Sequence, residues 1–334
     1  MRPASAKQYA QHLNRGIPDP EEFRPGIWSF AIPFLPGVPY TLCYVIEDSA
    51  NGFHVIDPGA DTPSNRDRLK MNLSSIGADL GDIRSVAVTH LHRDHLGLAA
   101  WLIDQNDLAL QLHVDDEEDL ISGASNARYS DDLEALGLRW GVPENERKRL
   151  HTGSATAGAS PIPARIRPLD DGEVLPIPGR TVRVLHTPGH TRGHVCFSLP
   201  DEGLLLSGDH VLPHLNPGIG RGGQGGENPV GEYLFSLDRL AQHDDGETAP
   251  GHGYRFFDLG ARRTRIRDHV LRRAGEVAQA LKSTPQATTW GLASSLSWGG
   301  GWTNLSATRL QSALAQTEMY VEFVGALPMG LHLP

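Results

Sequence analysis

Short apolar runs broken by Gly, Pro and Asn recur between residues 27 and 89, and their lengths predict strands. Ile27–Phe34, Tyr40–Glu47 and Phe53–Ile56 read as three strands joined by tight turns, an antiparallel start. An amphipathic helix is expected over Arg66–Ile76, then a fourth strand over Ile83–Thr89. Leu96–Asn106 reads as a helix with Leu96, Ala99, Ala100 and Ile103 turned inward. Residues 104–134 hold Asp104, Asp107, Asp115, Asp116, Glu117, Glu118, Asp119, Asp131, Asp132 and Glu134 against Arg128 alone. That pattern predicts a helical, solvated stretch, and the helical reading continues to Leu150. Residues 104–150 are therefore expected to be an acidic helical insertion, either a lid or a surface feature. Strands return over 161–209, and 213–231 reads as an irregular Gly/Pro loop. From Asp258 the pattern turns helical, to Lys282 and again over Trp290–Leu296 and Ser306–Val324.

These elements divide the 334 residues into an N-terminal arm (1–26), a larger α/β body (27–259) and a small, mostly helical C-terminal domain (260–334). The arm is expected to be loosely structured or to serve in docking. No apolar run reaches membrane-spanning length, and Met1 to Phe23 lacks the apolar core of a secretory signal, so a cytoplasmic protein is expected. Cys43 and Cys196 sit in strand-like runs and read as packed core thiols in a reducing setting. The net charge of −10 disfavours general polyanion binding. Arg262, Arg263, Arg265, Arg267, Arg272 and Arg273 form a local basic stretch that keeps a nucleic-acid partner open but disfavoured. Sequons at Asn72 and Asn304 carry no weight without an export signal. Gly220, Gly222 and Gly225 spell G-x-G-x-x-G, but a loop precedes them and Pro229 follows, so no dinucleotide site is expected.

The chemistry is concentrated in a few turns. His90-Leu91-His92-Arg93-Asp94-His95 follows the apolar run Ser85-Val86-Ala87-Val88-Thr89. His190 follows the strand-like Thr181–Leu185, Asp209 follows Leu204–Gly208, and His252 lies in Pro250-Gly251-His252-Gly253. Imidazoles and carboxylates crowded this tightly need positive charge among them, which one or two divalent cations would supply. His90, His92 and His190 make one set, Asp94, His95 and His252 a second, and Asp209 has two oxygens with which to bridge them. Two cations roughly 3.5–4 Å apart would clamp a shared water and lower its pKa to about 7. Asp94 and Asp209 are the expected catalytic carboxylates, and no serine or cysteine nucleophile stands out.

The H-x-H-x-D-H of His90 to His95, His190 in TPGHTRGH, Asp209 in LSGDH and His252 in APGHG together resemble the metallo-β-lactamase superfamily over roughly residues 27–258. The resemblance implies an αββα four-layer sandwich, with a dinuclear site of zinc (or iron or manganese) at one sheet edge. It implies that Asp57 orients a ligand histidine. The C-terminal segment resembles a helical, winged-helix-like extension. His194 and His210 are expected to support ligands or their loops, and His214, Asn216 and Tyr254 to face substrate. His12, His54, His113, His186 and His269 read as structural or surface histidines.

The TPGHTRGH stretch is similar to the glyoxalase II and thioesterase branch. That favours attack by a metal-bridging hydroxide on a small ester-like substrate, a thioester of the acyl-CoA or acylglutathione type first. The alternatives are a metal-dependent endoribonuclease, a lactonase or β-lactamase, and a mononuclear iron persulfide dioxygenase that would use only His90, His190 and Asp209. A homodimer stays open.

Overall fold

Alternation decides how the central hairpin is buried. In the computed structural model, which describes residues 1–35, 37–122, 133–151, 163, 165–220 and 227–327, strands β3 (Ile27–Leu35) and β4 (Val38–Glu47) pair antiparallel along their length. Ile27, Ala31, Leu42, Tyr44 and Ile46 face one apolar cluster, while Phe30, Ile32, Cys43 and Val45 face another. Neighbouring side chains of a strand point to opposite faces, so this hairpin is apolar on both.

Seven strands form one sheet in chain order: β2 (Glu21–Arg24), β3, β4, β5 (Phe53–Ile56), β6 (Ile83–Ala87), β7 (Leu110–His113) and β8 (Ile166–Leu169). Pairing is antiparallel from β2 to β5 and parallel from β5 to β8. The second sheet runs β1 (Arg2–Pro3), β13 (Phe256–Phe257), β12 (Glu247–Pro250), β11 (Leu204–Gly208), β10 (Val195–Leu199) and β9 (Arg183–His186). Between the sheets, Ile27, Leu42 and Tyr44 meet Val184, Phe197 and Leu206. Helices α2 (Pro63–Ser75) and α4 (Ala99–Asn106) cover the outer face of the seven-stranded sheet through Leu69, Leu73, Leu102 and Ile103. Helices α8 (Pro229–Arg239), α9 (Leu259–Ser283) and α11 (Ala307–Ala326) cover the other sheet through Tyr233, Leu237, Ile266 and Tyr320. This is the expected αββα sandwich with a helical C-terminal region. Cys43 and Cys196 are buried on the two opposite outer faces, and burial pushes the Cys196 thiol up to about 12.

Three expectations need correction. The stretch 104–150 is not a helical insertion throughout: Leu110–His113 is a strand paired between β6 and β8, with Leu110 and Leu112 fully buried. Four residues are too short to show a period among so many acids. Helix α5 (Val114–Ile121) follows directly, and its Asp116 and Asp119 are buried, not solvated. Arg128, Asp131, Asp132, Gly222 and Gly225 lie outside the described residues.

The N-terminal arm is not loose. Residues Arg2–Pro3 pair with β13, β2 pairs with β3, and α1 (Ala6–Leu13), N-capped by Ser5, lies between. Buried Gln8 donates to Ser29 Oγ at 2.8 Å and accepts from the Arg255 amide at 3.1 Å, so it ties the two sheets together. Beside it the buried Arg255 guanidinium pairs with Glu247 and, at 2.9 Å, with Glu21, and lies over the Phe23 ring. Arg255→Ala is expected to leave the buried Glu247 carboxylate with Arg24 alone, at 2.9 Å, and Glu21 without its partner, and to cost about 3 kcal/mol. A fall in the urea midpoint at unchanged slope is the check.

The C-terminal helices, which include α10 (Thr289–Ser295), show no strand after Phe257, so the expected extension has no wing among the described residues. Both apolar clusters these helices enter also hold residues from before 259. One contains Leu185, Cys196 and Leu205; the other contains Trp140, Val142 and Leu150, from the stretch that holds α6 (Leu133–Arg139) and α7 (Lys148–His151).

Candidate metal centre

Each metal-type side chain sits just past the C-terminal end of a strand at one edge of the sandwich. His90 and His92 follow β6, and Asp94 and His95 lie in the one-turn helix α3 (Arg93–Leu96). His190, Asp209 and His252 follow β9, β11 and β12. Loops at strand ends on a rigid sheet are where converging polar groups can be held.

The side chains converge as two groups. His90, His92, His190 and Asp209 present ligand-type atoms within 4.8 Å of one another, and so do Asp94, His95 and His252. His92 Nδ1 stands 2.8 Å from His90 Nε2 and 3.2 Å from His190 Nε2. His252 Nε2 is 3.1 Å from Asp94 Oδ2. The Asp209 carboxylate divides between the groups. Its Oδ2 lies 3.7 Å from His190 Nε2, while Oδ1 lies 3.5 Å from His95 Nε2 and 3.3 Å from His252 Nε2.

Two observations fit these groups to cations. His95 Nε2 and Asp209 Oδ1 are buried without a hydrogen-bond partner, a costly state unless something positive takes their lone pairs. Gly251 leaves the space open: a Cβ there would lie 2.5 Å from Asp209 Oδ1 and 2.6 Å from His95 Cε1.

The far side of each ring sets its tautomer. His190 Nδ1–H donates to the Gly218 carbonyl at 2.6 Å and His252 Nδ1–H to the Tyr40 carbonyl at 2.8 Å. A carbonyl can only accept, so in the neutral ring each Nε2 keeps its lone pair toward the centre. His95 Nδ1 meets Asp57 Oδ2 at 2.8 Å. Asp57 also accepts from the Thr89 amide at 2.7 Å and the Thr89 hydroxyl at 2.8 Å. Thr89 Oγ1 in turn lies 3.0 Å from His90 Nδ1. Asp57 thus touches one group directly and the other through Thr89, a residue not singled out by sequence. Its signal was its place: the last residue before the histidine run.

Without a cation the carboxylates favour a proton on His95 and His252, at the positions a cation would otherwise take. Burial, then the neighbouring imidazoles, hold His90 well below its ordinary pKa. His252 is pushed up to about 10: burial alone would lower it, and the Asp209 and Asp94 carboxylates outweigh that.

The remaining site expectations separate. His194 sits behind the centre, its Nδ1 2.9 Å from Thr187 Oγ1 and its Nε2 accepting from the Asp209 amide at 3.2 Å. His210 is fully buried beside the Tyr233 ring, with neither ring nitrogen hydrogen-bonded. His214 and Tyr254 join Tyr9 and His12 of α1 in an aromatic cluster, with His12 and His214 ring centres 4.1 Å apart. The Asn216 side chain accepts from Arg262 at 3.2 Å. A third group, His113, Asp115 and His186, is of another kind. Its imidazoles stack face to face, 3.9 Å apart and 12° from parallel, so their in-plane lone pairs do not meet at one ion.

A family model described as the metallo-beta-lactamase superfamily matches residues 36–252. A lactamase-like protein of Aspergillus sp. (strain MF297-2) is 30% identical over 147 residues, which is 44% of this chain and 42% of that protein. The atrochrysone carboxyl ACP thioesterase of Cryptosporiopsis sp. (strain 8999) is 32% identical over 143 residues, 42% of this chain and 41% of that one. The chain thus matches well under half the length of these curated relatives. A solved metallo-beta-lactamase family protein of Thermus thermophilus superposes with a TM-score of 0.72 at 26% identity, covering 91% of this chain and 94% of that one. No helix among the described residues is long and apolar enough to cross a membrane.

Proposed function

The chain belongs to the metallo-beta-lactamase superfamily, and from that premise we propose that it is a hydrolase holding two divalent cations, zinc first, and cleaving a small thioester. The observation that carries the reading is the Asp209 carboxylate, one oxygen turned to each histidine group. His90, His92 and His190 would hold one ion, Asp94, His95 and His252 the other, and Asp209 would touch both. When bound, such cations supply Lewis acidity and lower the pKa of a coordinated water. The proposed reaction would add water across the thioester: the carbon–sulfur bond would break, the acyl carbon would take the hydroxyl to give a carboxylic acid, and the sulfur would leave as thiolate, with the second proton released. Asp94 and Asp209, whose side chains are 13% and 11% exposed, would take the proton that water gives up. Neither cysteine offers a nucleophile, since both are buried in the outer layers.

The relatives named as thioesterases support the substrate class, with acyl-CoA, acylglutathione and acyl carrier protein thioesters as the members to try. His214, Asn216 and Tyr254 would form the substrate-facing side. Ribonuclease action is disfavoured by the pairing of Arg263 with Asp244, Arg267 with Asp238 and Arg273 with Glu276, which ties up much of the basic helix. A mononuclear iron dioxygenase would leave the second histidine group without a task.

The test is metal quantification and a substrate panel on one sample: three thioester classes, a lactone, a β-lactam and RNA. Two ions per chain and thioester turnover abolished by chelation are expected. No turnover above the metal-free control rejects the reading, as does one iron per chain with oxygen uptake.

A further inference from the structure

Helix α5 begins a single residue past the end of β7, and the Asp116 carboxylate in its first turn is fully buried. It touches neither a metal-type side chain nor a cation. All of its hydrogen bonds go to two loops. Oδ2 accepts from the amide of Leu91, between His90 and His92, at 2.9 Å, and from the Thr191 hydroxyl at 2.9 Å. Oδ1 accepts from the amide of Gly193 at 2.7 Å. Thr191 directly follows His190 and Gly193 lies three beyond it. Packing is tight: a Cβ on Gly193 would lie 2.4 Å from the Asp116 amide nitrogen, so α5 rests directly on the loop backbone.

We infer that Asp116 is a positioning residue that cross-braces the loop of His90 and His92 to the loop of His190, and so sets the affinity of one of the two cation positions only. The three donors belong to the loops of His90, His92 and His190, on which the first group is built. None lies in the loop of His252, and Leu91, on the turn that runs on to Asp94 and His95, is held between His90 and His92. Asp57 differs, because it reaches His95 directly and His90 through Thr89. A carboxylate suits the task because both its oxygens accept; the three hydrogen bonds it receives offset only part of the burial that pushes its pKa up to about 7. An amide would turn an N–H toward one of the donors and break one arm of the brace.

The inference rests on the two-cation reading above, and the experiment separates the two. Metal-free wild type, Asp116→Asn and Thr191→Val are titrated with Zn²⁺ against a chromophoric chelator. Hydrogen exchange of the metal-free proteins is followed in peptides covering 88–96 and 187–195. Wild type is expected to bind two ions. Asp116→Asn is expected to keep one at wild-type affinity and to bind the other roughly 10- to 100-fold more weakly, the range for outer partners of ligands. Exchange at Leu91 and Gly193 should speed up before any metal is present. Thr191→Val, which removes one donor and keeps the carboxylate, should shift the same position less; it carries the test if Asp116→Asn does not fold. Wild type binding fewer than two ions would sink the two-cation reading itself. Two ions bound normally by both variants, or both positions weakened equally, would overturn the brace.

Discussion

Asp209→Ala is expected to leave a folded protein that holds less than its full metal and turns over thioester at about a thousandth of the wild-type rate or below. Removing the side chain takes away the one group turned toward both histidine sets. His95 Nε2 and His252 Nε2 would then face Asp94 as the remaining carboxylate of their set. Charge stabilisation at a catalytic metal amounts to several kcal/mol, and each ~1.4 kcal/mol is a factor of ten. The fold should survive because Asp209 lies in the loop after β11, outside the three sheet-covering apolar clusters. Metal per chain by elemental analysis, kcat, and the thermal transition of the metal-free form, measured together, check it. Full metal content with wild-type turnover would mean that the carboxylate bridges nothing.

Asp57→Asn should do comparable damage by another route. Asp57 has a φ of 55°, and Asn tolerates that left-handed conformation better than Ala would, so the substitution isolates the carboxylate. The native carboxylate receives the Thr89 amide on one oxygen, and the Thr89 hydroxyl and His95 Nδ1 on the other. An amide must point its own N–H at one of these donors, leaving buried polar groups unmatched at roughly 1–3 kcal/mol each. The thermal transition should fall. Because His95 and, through Thr89, His90 both lose orientation, both cation positions should weaken by about 10- to 100-fold. A Zn²⁺ titration showing loss at one position alone would contradict that geometry.

The converging histidines and aspartates were legible because each sits in a short local signature at the end of an apolar run, and local patterns survive without knowledge of the fold. Asp57 was legible only through family resemblance. Asp116 was not legible at all. Two of its three partners are main-chain N–H groups 25 and 77 positions away, for which no residue type is a marker, the third is the Thr191 hydroxyl 75 positions away, and it stands in a run of acids that reads as solvated. Strand β7 was lost for a related reason: its pairing is parallel on both sides and needs only four residues, so neither a turn nor a period announces it. The N-terminal strands, of two and four residues, are shorter still or no longer. The buried bond from Gln8 to Ser29 pairs two residue types usually assigned to solvent.

The pairing of Arg2 with Phe257 also dictates a sequence of events. A ribosome makes residue 2 first and must add some 255 more before its partner exists. Strand β2 can settle early, since β3 emerges almost at once. The residues of β1 and the bond from the Arg255 amide to Gln8 must wait, and distant closures are entropically slow. Residues 2 and 3 therefore find their places long after they are made, and this early segment seals the sandwich only after its far edge exists.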